Sequence, residues 1–270
     1  MQMPSPLNSF TLAAIDLDGT LLSPDLTISA ANLNAIKKLQ AAGAEVVIAS
    51  GRHYESLRPF VELLPGVKWV VSVQGGEVSD ARRENVLQRA FLDHASLSAV
   101  LELGETIGCS AVAYAVEGVF TSASTNPDIE FYGWLAGRVP VTLSQVELLA
   151  KEVFKIVWIG LPERIAALRE IEQVAKLKLQ IVRTHERIME FSPPGVSKGT
   201  GLGVLAEHLR LRAEDAVVFG DAENDVPMFE WAGTSVAMPH AWPVAITKAT
   251  ITGPVGPKET ALALAVDAIL

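Results

Sequence analysis

The sequence predicts an α/β protein: a parallel sheet with helices on its faces, interrupted by an α+β insertion. Three observations predict it. Short apolar runs near each end of the chain finish in acidic or hydroxyl residues, helical stripes separate those runs, and from about residue 82 hairpin signals replace the alternation.

The first run, Leu12-Ala13-Ala14-Ile15-Asp16-Leu17, reads as a buried strand that leaves its sheet through Asp18-Gly19-Thr20. Leu33, Ile36 and Leu39 then share one helical stripe, which stops at Gly43. Residues 45–49 make a second strand ending at Ser50-Gly51-Arg52, a helix is expected over about 54–64, and a third strand over 69–73. Strands alternating with helices in this way pair in parallel. In the insertion, 111–114 and 118–121 face each other across Glu117-Gly118 as a hairpin, and further strands are expected at 155–159, 178–182 and 188–191. Helices are expected there over 96–107 and 162–175. After Pro193-Pro194-Gly195 the parallel order resumes, with a helix from Ser197 and an apolar strand over 216–219 that runs into Gly220-Asp221.

Composition bounds the function. Of the 270 residues 49% are hydrophobic and 20% charged, enough of each for a soluble folded protein and too apolar for a disordered one. The net charge of -9 repels nucleic acid and anionic lipid, so neither is an expected partner. An anionic substrate would then need a cation concentrated at one spot. Cys109 is the only cysteine, which rules out an internal disulfide and points to the cytoplasm. The stretch from Met1 to Phe10 has no basic residue ahead of its apolar run and reads as no signal peptide. No apolar run is long enough for a membrane helix.

In an open parallel sheet, ligands bind beyond the carboxyl ends of the strands. Here those ends carry Asp16 and Asp18, then Ser50, then Asp221 with Asn224 and Asp225 close behind. If strand geometry persists past Asp16, Asp16 and Asp18 project to one side. Carboxylates crowded around one opening repel each other unless a cation is shared, and Mg2+ with oxygen ligands answers that charge. Zinc is disfavoured, because His53, His94, His185, His208 and His240 are scattered without ligand spacing. Asp16 fits a nucleophile that splits phosphoryl transfer into two steps, and Asp18 fits the acid that protonates the leaving oxygen and then activates water. Lys198 and Ser50 supply the positive charge and hydroxyl that phosphoryl oxygens require.

Asp16-Leu17-Asp18-Gly19-Thr20, Ser50-Gly51-Arg52, Lys198 and Gly220-Asp221-Ala222-Glu223-Asn224-Asp225 together resemble the haloacid dehalogenase superfamily, in its Cof-type branch of sugar-phosphate and related phosphatases. The resemblance spans nearly the whole chain and includes the stretch from Glu190 to Gly199. It implies a Rossmann-like catalytic core over 1–81 and 192–270, with an inserted α+β cap over 82–191. It further implies a phosphoric monoester hydrolase in which Mg2+ is held by Asp16, the backbone carbonyl of Asp18, and Asp221. Ser50, Gly51, Lys198 and Asn224 would bind phosphate, with Asp225 orienting Lys198 or a metal-bound water and Gly19 and Thr20 supporting the first loop. Arg52, Gln74 and Gly75 are candidate substrate contacts, Gln74-Gly75 standing where relatives commonly have Asn-Gly. The tail, Gly253-Pro254-Val255-Gly256-Pro257, also departs from the family's usual closing segment.

The expected substrate is a small phosphorylated metabolite, a phosphorylated sugar being favoured, which the insertion would cover and select. A phosphomutase on the same scaffold is one alternative and a receiver-like phosphoaccepting module another. Asp18 argues against the receiver, which has no need of a second acid two residues on. Gly199-Thr200-Gly201-Leu202-Gly203 is not read as a dinucleotide loop, because no strand runs into it and the final glycine is missing. Taken singly, Arg52, His53 and Arg187 are better explained as a surface arginine or a satisfied histidine than as substrate contacts.

Overall fold

The computed structural model describes residues 10–122 and 125–270; Met1 to Ser9, on which the reading of the N-terminus mostly rests, lie outside the described residues. The strands, in chain order, are β1 (Leu12–Ile15), β2 (Glu45–Ala49), β3 (Trp69–Ser72), β4 (Glu77–Asp80), β5 (Val86–Arg89), β6 (Ser110–Ala115), β7 (Gly118–Thr121), β8 (Val141–Thr142), β9 (Val153–Ile159), β10 (Gln180–His185), β11 (Ile188–Ser192), β12 (Ala216–Gly220), β13 (Thr234–Ala237) and β14 (Ile251–Thr252). They form two sheets, in two compact units.

Among the described residues, the first unit comprises 10–51, Leu57–Gln88 and Ser197–Leu270. Its eight strands run in the order β14-β13-β12-β1-β2-β3-β4-β5, parallel from β14 to β3 and turning antiparallel at β4. Leu12, Ala13, Ala14 and Ile15 are fully buried, as are Val46 to Ala49 and Ala216 to Phe219, because helices cover both faces of a parallel sheet. β1 lies between β2 and β12, so the carboxyl ends of three adjacent strands deliver Asp16, Ser50 and Asp221 to one edge. The strand order reverses about β1, the topological switch point where open sheets bind their ligands. This unit runs past residue 81 because β4 and β5 extend the same sheet.

The second unit comprises Arg52–Ser56 and Arg89–Val196. Its sheet, β10-β11-β9-β6-β7-β8, is antiparallel except at the short β7-β8 edge; the expected hairpin forms as β6-β7 but turns one residue earlier than read, at Val116-Glu117, because Gly118 already pairs with Ala115. One face packs Trp158 against Phe191, ring centroids 4.1 Å apart, together with Leu97, Val100 and Leu101 of the helix His94–Thr106. The helix expected over 162–175 is broken into Pro162–Ala167, a 3-10 turn Leu168–Glu170, and Glu172–Ala175. Ile171 is the break, in an extended conformation (ψ 116°) that ends one turn and starts the next. β10 begins at Gln180, two residues later than expected, after Lys178 adopts a left-handed φ of 53°.

Candidate active site

The loop after β1 does not continue as a strand. Residues Leu17–Leu21 form a turn closed by Leu22 N–H donating to the Leu17 carbonyl over 2.9 Å, kinked in its middle, where Asp18 (φ −83°, ψ 119°) and Gly19 (φ 82°, ψ −4°) are not helical. A Cβ on Gly19 would collide with the Asp221 carboxylate, so only glycine lets the two loops meet. Asp16 is buried and Asp18 exposed, so the two acids differ in surroundings and are not a pair set by strand alternation. Thr20 is fully buried beneath the turn.

Lys198 is the first residue of the helix Lys198–Leu209, which Ser197 caps through a reciprocal exchange with Thr200. The helix start fixes the lysine, and its Nζ donates to Asp16 Oδ1 over 2.5 Å and to Asp225 Oδ1 over 2.6 Å, all three groups buried. Asp225 Oδ2 accepts the backbone N–H groups of Asp221 and Ala222 at 2.8 and 3.0 Å. Both Asp225 oxygens are therefore occupied, and the residue shapes the loop after β12 while holding Lys198. Gly220 is required there, since a Cβ would fall 2.5 Å from the Asp225 carboxyl carbon.

Asp16 Oδ2 and Asp221 Oδ1 are buried and have no hydrogen-bond partner among the described residues. Ligand atoms of Asp16, Asp221 and Asp225 lie within 4.8 Å of one another. Burial of an orphaned carboxylate oxygen is costly, and here two such oxygens share one spot. An oxygen-ligated cation fits: it would satisfy both, with Asp16 and Asp221 as its side-chain ligands and Asp225 behind them. Burial pushes the Asp16 carboxyl up to about 7, against the pull of the Lys198 ammonium and with help from Asp225 and Asp18. Asp221 is raised well above the usual carboxylate value by burial and then by Asp16 and Asp225. Burial opposes the charge on Lys198, but Asp16 and Asp225 outweigh it and hold its pKa above the ordinary lysine value. The lysine stays charged, and one positive charge among four carboxylates leaves an excess of negative charge for a cation to answer.

Ser50 directly follows β2, buried, with its N–H donating to the Val71 carbonyl over 2.8 Å. Asn224 Nδ2 donates to Gln74 Oε1 over 3.1 Å. Asp16, Asp18, Ser50, Gly51, Gln74, Gly75, Lys198, Asp221, Asn224 and Asp225 all belong to the first unit, whereas Arg52 and His53 belong to the second. There His53 Nε2–H donates to the Ala115 carbonyl over 2.9 Å, a satisfied core histidine. Arg187 is held by Asp128 at 2.7 Å and stacks over the Phe131 ring.

One residue of the first unit escaped the sequence reading. His240 Nε2–H donates over 2.7 Å to the carbonyl of Gly19, the residue after Asp18. No spacing rule links positions so far apart; only the parallel sheet makes the loops after β1 and β13 neighbours. In the second unit, the buried pair Lys155–Glu190 (2.6 Å), with Lys155 over the Tyr114 ring, was equally silent in the sequence.

Residues 13–262 match the family model of the haloacid dehalogenase-like hydrolases. The chain belongs to that family. Among relatives, a protein of Streptococcus pyogenes serotype M6 is 30% identical over 240 residues, covering 87% of this chain and 89% of that one. An HMP-PP phosphatase of Cronobacter sakazakii is 28% identical over 233 residues, covering 86% and 85%. The solved structure of a superfamily phosphatase from Bacteroides thetaiotaomicron superposes with a TM-score of 0.83 at 25% identity, covering 99% of this chain and 96% of that one. The haloacid dehalogenase-like chain is thus an enzyme of the phosphatase type, with a parallel-sheet core, a separate inserted sheet-and-helix unit and an acidic cluster fit for a metal. Among its described residues no helix is long and apolar enough to cross a membrane.

Proposed function

We propose that the protein is a Mg2+-dependent phosphatase of small phosphorylated metabolites, phosphorylated sugars foremost, working through a phosphorylated Asp16. The observation that carries this is the pair of orphaned buried oxygens, Asp16 Oδ2 and Asp221 Oδ1, beside a lysine bound to both Asp16 and Asp225. Bound Mg2+ would neutralise those carboxylates and the phosphoryl oxygens, which keeps Asp16 ionised and lets an anion approach.

The chain's own residues carry the two displacements. An Asp16 carboxylate oxygen attacks phosphorus and the bond to the leaving oxygen breaks, while the Asp18 carboxyl gives its proton to that oxygen. Asp18, now a carboxylate, takes a proton from water; the resulting hydroxide oxygen bonds to phosphorus and the Asp16–phosphorus link breaks, releasing inorganic phosphate and restoring Asp16. The exposure of Asp18 supports this double role, since it must meet both a leaving group and water, while burial suits Asp16 as a fixed nucleophile. Lys198, Ser50 and Asn224 would balance the charge of the transferring group. Choice of leaving group falls to the second unit, because the groups named here recognise only phosphate and metal. The relatives that are HMP-PP phosphatases support a small organic phosphate as substrate.

The test is a panel of sugar, nucleotide and cofactor phosphates assayed for phosphate release with Mg2+ and with chelator. Release from at least one ester, lost in chelator, is expected; release undiminished in chelator refutes the metal requirement.

A further inference from the structure

We propose that Gln74 is a positioning residue: its side chain holds the Asn224 amide in place, so that the loop after β3 ties together the segments that receive the phosphoryl group. The inference rests on the phosphatase reading above and adds to it a residue that need touch no substrate atom.

Three consecutive residues, Val73, Gln74 and Gly75, have φ of 45°, 63° and 92°. A β-branched residue at positive φ is an outlier, and glutamine has no special tolerance of that region. Such strain survives only where the surroundings over-determine it. Here they do. Gln74 N–H donates to the Ser50 carbonyl over 3.1 Å, and Gln74 Oε1 accepts from Asn224 Nδ2 over 3.1 Å. Its amide lies so close to Gly51 that a Cβ there would come within 2.5 Å of Nε2. Next along the chain, a Cβ on Gly75 would overlap the carbonyl oxygen of Ser197, the cap of the helix that begins with Lys198, and Gln88 Nε2 donates to the Gly75 carbonyl over 2.9 Å.

One short loop therefore touches Ser50-Gly51, Ser197 ahead of Lys198, and Asn224, each from a different part of the chain. A transferring phosphoryl group gains most from donors fixed before it arrives. Asn224 sits on a short turn, and its amide is free to rotate about χ2 unless something holds it. Gln74 Oε1 takes one of its two Nδ2 hydrogens and leaves the other for an anion. The residue is 4% exposed, so water does not substitute for its side chain easily.

The experiment uses the full chain with Mg2+ and compares wild type, Gln74→Met, Gln74→Asn, Asn224→Ala and the double variants. Methionine keeps length and volume but removes the acceptor; asparagine tolerates positive φ but is one methylene short. Both should raise KM and the inhibition constant of inorganic phosphate about tenfold, with kcat falling about threefold or less. In the Asn224→Ala background the same substitutions should add less than about twofold, because the interaction is already gone. Unchanged phosphate inhibition in whichever Gln74 variant folds, or fully additive effects with Asn224→Ala, would overturn the role of Gln74 while leaving the phosphatase reading intact. A wild type that releases phosphate from no ester would remove that reading and this one with it.

Discussion

In the proposed mechanism Asp16 concentrates the chemistry of this chain in one buried carboxylate. The buried carboxyl is raised to about 7 by desolvation, and Lys198 alone does not bring it back to the usual range. Asp16→Asn keeps the shape and the Lys198 contact but removes the nucleophile. Turnover should fall about 10^4-fold or more. The folded protein should melt no lower in the absence of Mg2+, since a costly buried charge has been removed. Calorimetry beside a phosphate-release assay checks both; a folded variant with comparable turnover refutes the assignment. The motif residues were legible in the sequence because strand ends, a turn and a run of acids are local features. His240 was not, since its contact with Gly19 bridges two loops that only the β1-β12-β13 order makes adjacent. The different parts of Asp221 and Asp225 came from the family resemblance and not from spacing, which gives only two acids; the hydrogen bonds of Asp225 to Lys198 and to the Asp221 and Ala222 N–H groups add that both its oxygens are occupied inside the protein.

Sheet and loops, at the scale of elements, explain why the acids are tolerated. Three parallel strand ends converge their loops, and the helix Lys198–Leu209 brings a lysine to the middle by its capped first turn. The strands β1, β2, β3 and β12 were read within a residue or two, because fully buried strands appear as plain apolar runs, whereas the parallel strands β13 and β14 were not read at all: both are short, and β14 is exposed. A turn after β1 was legible from Asp18-Gly19-Thr20, but its start at Leu17 and its closure from Leu22 N–H to the Leu17 carbonyl were not, as nothing in Asp-Leu-Asp-Gly-Thr says where the strand stops. The break at Ile171 was hidden for a similar reason: the apolar stripe continues across it while the backbone does not. The acidic cluster also fixes a pH dependence. For Asp16 and Asp221 the folded pKa lies above the unfolded one, so the folded state holds extra protons above the unfolded carboxylate range, in the case of Asp16 up to about pH 7. Metal-free protein accordingly has this contribution in full below the unfolded pKa and loses it as pH rises through that window. Mg2+ competes with those protons, so it should raise the melting temperature more at about pH 7.5 than at about pH 5. An equal shift at both, or none in the wild type at either, contradicts a metal shared by Asp16 and Asp221.

For the molecule as a whole, the proposed function assigns transfer to the first unit and choice of substrate to the second. The first holds every residue assigned to phosphoryl transfer; the second is built on its own hydrophobic core around Trp158 and Phe191. Replacing the inserted residues 89–196 by a short linker should preserve slow turnover of a small generic ester in a folded core and erase preference for the best metabolite. Retained selectivity in that core would show that the insertion does not choose the substrate. The central claim, a covalent Asp16 phosphate, has a more direct test. Asp18→Asn slows the attack of water more than the first displacement when the leaving group is good, so the intermediate should accumulate. Rapid acid quench of that variant with Mg2+ and an activated aryl phosphate, followed by peptide mass spectrometry, should find one phosphate per chain on Asp16. Phosphate on another residue, or none on a variant that still releases the aryl group, would contradict it.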